Sequence, residues 1–110
     1  MSAPSNPFHV AASHIDQMRQ AAIYADDGAL PARIKALAAL LWSVSSRCEP
    51  CIAHYARKAV ELGANREEMA EMLAIASTMG GCVGEMWALK AFAAAKTAGS
   101  GEGEVACCPQ

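Results

Sequence analysis

Ser46-Arg47-Cys48-Glu49-Pro50-Cys51-Ile52-Ala53-His54 is the stretch on which the reading of this chain turns. Proline suits the first turn of a helix, where its missing N–H would have no intrahelical partner in any case. A helix therefore begins near Glu49, with Cys48 at its cap and Cys51 in its first turn. Two thiols at this spacing lie within disulfide reach. Both face the positive end of the backbone dipole, which favours the thiolate over the thiol and eases ionisation below the ordinary ~8.5. His54 follows one turn further on, beside the same face, where an imidazole can accept a thiol proton. Two chemistries are open: a redox dithiol, or a metal site. In the second, Cys48, Cys51 and His54 hold Zn²⁺ or a softer ion, with Cys82 or the C-terminal thiols completing the set.

Helical patterns flank this stretch on both sides. Upstream, Val10, His14, Met18, Ala21, Ala22 and Tyr24 recur at helical spacing from Phe8 to about Ala25, and Asp26-Asp27-Gly28 ends the run. A second helix starts near Pro31 and carries the stripe Ile34, Leu37, Leu40, Leu41 and Val44. The helix that opens at Cys48 presents Ile52, Tyr55, Ala59, Val60 and Leu62, then stops at Gly63. Asn65-Arg66-Glu67-Glu68 has capping-box spacing and starts a fourth helix with Met69, Met72, Leu73, Ala76 and Met79. Gly80-Gly81 breaks it, and a fifth runs from about Val83 to Lys96 through Met86, Trp87, Leu89 and Phe92. No stretch alternates as a strand does. The expected fold is an all-α bundle of about five to six helices. The expected organisation is a disordered leader (1–7), a helical domain (8–98) and a flexible tail (99–110) with a Cys-Cys pair.

Composition agrees. The chain has 110 residues and is 54% apolar, with alanine its commonest residue, which is good helix material and poor sheet material. So many apolar faces exceed what one small core hides, and a homo-oligomer is expected. The net charge of −2 and pI near 5.9 give no electrostatic footing for nucleic acid. The longest uncharged apolar run, Ala36 to Trp42, is far short of the ~20 residues of a membrane span. The first seven residues lack the charged and apolar regions of a signal peptide, so a cytoplasmic location is expected. In that compartment a close cysteine pair reads as catalytic or metal-binding rather than as a staple.

A resemblance sharpens this. The run Ser46 to His54, continued by Gly63-Ala64-Asn65-Arg66-Glu67-Glu68-Met69-Ala70-Glu71 and by Ala76-Ser77-Thr78-Met79-Gly80-Gly81, resembles the carboxymuconolactone decarboxylase/AhpD-like family from about Leu30 to Ala95. The resemblance implies an all-helical trimer or hexamer that reduces small hydroperoxides without a cofactor of its own. It implies Cys51 as the peroxide-attacking thiol, Cys48 as the resolving thiol, His54 in the proton relay and an external dithiol as reductant. It also implies a lyase acting on a cyclic lactone acid as the activity of the family's other branch. The family histidine stands four residues after the second cysteine, where this chain has Tyr55. The family glutamate stands twelve before the first, where this chain has Ala36.

Glu85, among Val83, Met86, Trp87 and Leu89, is the candidate substitute for that acid, since a carboxylate in apolar surroundings needs a partner. Cys82, beside Gly81 and Gly84, is expected to be a small buried packing residue. Cys107-Cys108 could carry electrons or a thiophilic ion to Cys48 and Cys51. Trp42 and Trp87 are expected as packing anchors, and His9 and His14 as ordinary surface or edge residues.

Overall fold

The computed structural model describes residues 7–26 and 28–99, and among them every regular element is helical. Helix α1 (Pro7–Arg19) runs on into a π-helical turn, Gln20–Tyr24, followed by α2 (Ala32–Ser46), α3 (Glu49–Glu61) and α4 (Arg66–Gly99). The boundaries follow local chemistry. The backbone N–H of Ala32 donates to Asp26 Oδ1 at 2.8 Å, so Asp26, which follows the first segment, also satisfies a donor at the start of the second. Gly63 takes the positive φ of 99° that closes α3. The capping box forms in both directions: Glu68 N–H to Asn65 Oδ1 at 2.7 Å and Asn65 N–H to Glu68 Oε1 at 3.2 Å.

Four helices form where five to six were expected. The glycine pair interrupts the last one at a single residue, Gly81 (φ 62°, ψ −143°), and helical geometry resumes directly after it. The expected fourth and fifth helices are thus two arms of α4. The kink folds the arms together: Ala70 and Ala74 of the first arm share a groove with Leu89 and Phe92 of the second. A straight helix would hold Ala70 and Phe92 about 33 Å apart. Gly84 permits the approach, because a Cβ there would overlap the carbonyl oxygen of Ala76. By length and composition α4 is apolar enough to cross a membrane, yet neither arm alone has the ~20 residues required.

α2, α3 and α4 pack around one core. The expected stripes supply Leu37, Leu40 and Val44, then Ile52, Tyr55 and Ala59, then Met69, Leu73 and Ala76. On the second arm the buried face is alanine-lined (Ala88, Ala91), whereas Met86 and Leu89, expected inside, are exposed. Close approach of the arms leaves room only for small side chains. The larger ones form an outward strip with Ile75, Met79 and Val83, Met79 being 81% exposed. Trp42 is likewise no core anchor: it is 71% exposed. Trp87 is partly buried against the core, with Lys90 Nζ 4.9 Å from its ring centre. Of the first segment, the π-helical turn is the part that packs on α2.

Candidate active site

The reversal between α2 and α3 sets up the site. Arg47 ends α2 in the left-handed region (φ 56°, ψ 43°), and its N–H closes onto the carbonyls of Ser43 and Val44. Cys48 N–H also donates to Ser43 O, at 3.1 Å. The tight stop delivers Cys48 in extended conformation as the cap of α3, and its carbonyl accepts the first helical bond, from Ile52 N–H at 2.9 Å. Unlike α4, α3 has no side-chain hydrogen bond at its cap. Its first-turn N–H groups remain unclaimed by any capping side chain and able to stabilise negative charge on a first-turn sulfur.

Both cysteines are half-buried, neither is in a disulfide, and they line one open groove of about 550 Å³ between the π-helical turn, α2 and α3. Trp42, Ala38 and Ile23 make its apolar wall, and Arg19 and Lys35 are its charged residues. Among the described residues no carboxylate lines it.

His54 lies off this groove. Its Nε2 is 2.9 Å from the Tyr24 hydroxyl of the π-helical turn, and its Nδ1 is buried with no hydrogen-bond partner. Burial pushes the imidazole pKa below its ordinary value, and the positive charges of Arg19, Arg57 and Lys58 act in the same direction against a weaker pull from Asp16. The ring is therefore neutral at neutral pH. Tyr55, the next residue, does face the groove. It is 7% exposed, its ring meets that of His54 edge-on at 4.8 Å, and its hydroxyl accepts a 3.0 Å hydrogen bond from Arg19 Nε. Arg19 Nη1 in turn pairs with Asp16 at 3.1 Å.

The structure thus brings Cys48 and Cys51 together and sets His54 to one side. Ala36 is fully buried in the core. Glu85 is exposed and lines the groove between the arms of α4, not the one holding the thiols, so within one chain it does not replace the missing acid. The apolar neighbours that suggested burial are themselves mostly exposed. Cys82 follows the Gly81 kink at the tip of the arms and is exposed, not packed. No group of three or more metal-ligating side chains converges among the described residues. His54 Nε2 is bonded to Tyr24 instead of sharing a ligand sphere with the thiols. His14 is exposed; the side chain of His9 and the pair Cys107-Cys108 lie outside the described residues.

Sequence reasoning passed over Arg19, Tyr24 and the groove-facing role of Tyr55. Tyr55 was within reach, since position i+4 from Cys51 shares its helical face. Arg19 and Tyr24 arrive through docking of a different segment, for which spacing carries no signal.

The model of the carboxymuconolactone decarboxylase family matches residues 11–94. An uncharacterized protein of Cupriavidus necator, H16_B0147, is 43% identical over 67 residues, which is 61% of this chain and 59% of that relative. The chain thus spans less than two thirds of that relative's length. The crystal structure of apo-lpg0406, a carboxymuconolactone decarboxylase family protein from Legionella pneumophila, superposes with a TM-score of 0.75 at 33% identity. That match covers 82% of this chain and 79% of the Legionella chain.

Proposed function

This chain belongs to the carboxymuconolactone decarboxylase family, and on that footing we propose that it is a small thiol-dependent oxidoreductase of alkylhydroperoxidase type. The observation that carries the reading is the pair Cys48 and Cys51, neither in a disulfide, in one apolar groove at the N-terminus of α3, whose cap makes no side-chain hydrogen bond. The Cys51 thiolate attacks the terminal oxygen of a small hydroperoxide and becomes a sulfenic acid, releasing the alcohol. The Cys48 thiol then displaces that oxygen as water and forms the 48–51 disulfide, which an external dithiol reduces. In this reading His54 supports the groove wall through Tyr24 in place of the direct relay that its spacing suggested. The outward strip of Ile75, Met79, Val83, Met86 and Leu89 suits burial against further copies in a trimer or hexamer. A cytoplasmic setting would supply the reductant.

Intact-mass and peptide mapping of reduced protein after one equivalent of organic hydroperoxide tests this. Loss of two hydrogens, mapped to Cys48–Cys51 and reversed by dithiol, is expected; an unoxidised pair refutes it. A second reading, a lyase acting on a cyclic lactone acid, is favoured by one observation: two cations, Arg19 and Lys35, line the groove, where they suit a substrate carboxylate. Replacing both cysteines by serine separates the two, since the lyase would survive the change.

A further inference from the structure

Building on the thiol peroxidase reading, we propose that Tyr55 is the proton-transferring residue of the groove and that Arg19 positions it. The reaction must move one proton. As the Cys51 thiolate bonds to the terminal peroxide oxygen and the O–O bond breaks, the departing alkoxide needs a proton. The residue expected to mediate this, His54, does not line the groove; its Nε2 is at Tyr24 and its Nδ1 is buried. The one titratable side chain that shares the groove with both thiols and stands one turn from Cys51 on its helical face is Tyr55.

A phenol is suited to the task. Its O–H proton passes to the alkoxide as the Cys51 thiolate takes the peroxide oxygen, and the phenolate regains a proton from the solvent that received the one Cys51 lost on ionising. The tyrosine then ends unchanged, Cys51 as sulfenic acid and the peroxide as alcohol. Negative charge gathers on the phenol oxygen midway, and the guanidinium that donates to that oxygen at 3.0 Å opposes it. Arg19 reaches Tyr55 from the first helical segment, 36 positions away in sequence, so this pairing exists only once that segment docks. Two charged groups face the groove, Arg19 and Lys35; His54 meets the Tyr55 ring from the side.

The test compares two reagents on the full-length protein: a hydroperoxide, whose leaving alkoxide needs a proton, and iodoacetamide, whose leaving iodide does not. Second-order rates are measured for wild type, Tyr55→Phe, Tyr55→His, Arg19→Gln and, as a control, the exposed Glu71→Gln. Tyr55→Phe should slow 48–51 disulfide formation by about 100-fold and slow alkylation of Cys51 far less. Tyr55→His should recover part of the peroxide rate, with a new titration near the ordinary histidine value of about 6.5. Arg19→Gln should show the same selective loss to a smaller degree, and it carries the test if Tyr55→Phe does not fold. Glu71→Gln should match wild type with both reagents. Equal rates in Tyr55→Phe and wild type, or equal slowing with both reagents, would overturn the assignment while leaving the peroxidase reading intact. A wild-type protein that forms no 48–51 disulfide would instead remove that reading, and this inference with it.

Discussion

Two reversals in this chain are built alike and end differently. Before Cys48, Arg47 turns the backbone at φ 56°; before Cys82, Gly81 turns it at φ 62°. Each puts a cysteine where helical geometry begins again. At the first, α2, α3 and the π-helical turn close around the sulfur, and a second thiol, a phenol and a guanidinium share its groove. At the second, the arms of α4 meet behind the kink and the cysteine points outward, exposed. A thiol at the start of a helix is thus common to both, and enclosure with proton-handling neighbours is peculiar to one. The groove decides whether a thiol meets a substrate in a setting that completes the reaction.

The comparison breaks if the two thiols behave alike. Cys51→Ser should abolish hydroperoxide-driven disulfide formation, while Cys82→Ser leaves its rate unchanged, as peptide mapping of both variants would show. The next effect distinguishes the reversals as backbone. Gly81→Ala forces a side chain into a conformation that only glycine adopts readily and should cost about 1–3 kcal/mol in chemical denaturation. Arg47→Gly has the opposite sign: arginine already bears the left-handed strain, and its relief should stabilise the fold by about 1 kcal/mol. Equal signs for the two variants would mean that the reversals are not equivalent turns after all.

A smaller effect contrasts the uncapped start of α3 with the boxed start of α4. The Arg33 guanidinium, bonded to both carboxylate oxygens of Glu68, holds that carboxyl below its ordinary value of 4.5, aided by the Asn65 N–H. A pKa lowered on folding adds stability above pH 4.5 that is lost as pH falls through the folded value. Glu68→Gln should flatten that part of the acid-denaturation curve and leave the profile above pH 6 unchanged. A Glu49→Gln variant, whose exposed pair with Lys90 lies in the first turn of α3, should alter acid stability less.

Much of this was legible locally. The reversal at Arg47-Cys48, the proline in the first turn, the Asn65–Glu68 box and the stop at Gly63 each express chemistry that spans a few residues. So do the stripes Leu37-Leu40-Val44 and Met69-Leu73-Ala76. The misreadings concern what lies across from a residue. Trp42, Met86 and Leu89 were expected inside because large apolar groups ordinarily are, yet the buried face of the second α4 arm is lined by alanine and Trp42 walls the thiol groove instead. Glu85 was expected at the thiols because of its apolar neighbours along the chain, and those neighbours turned out to face outward with it. His54 was expected in the relay because it follows Cys51 by one turn. Three positions along a helix leave the imidazole about 60° to one side of Cys51, on the flank held by Tyr24, while four leave Tyr55 about 40° to the other.

By itself the sequence determined that the chain is helical, where α2 ends and α3 starts and stops, and that two thiols sit at the mouth of α3. Those outcomes depend on hydrogen bonds and torsions within one or two turns. Only the tertiary structure decided which side chains face those thiols. Arg19 and Tyr24 come from a segment about 30 residues away, and the fold of α4 at Gly81 carries Glu85 and Cys82 elsewhere. Such neighbours are set by how separate faces pack in space, a property that no local run of residues encodes.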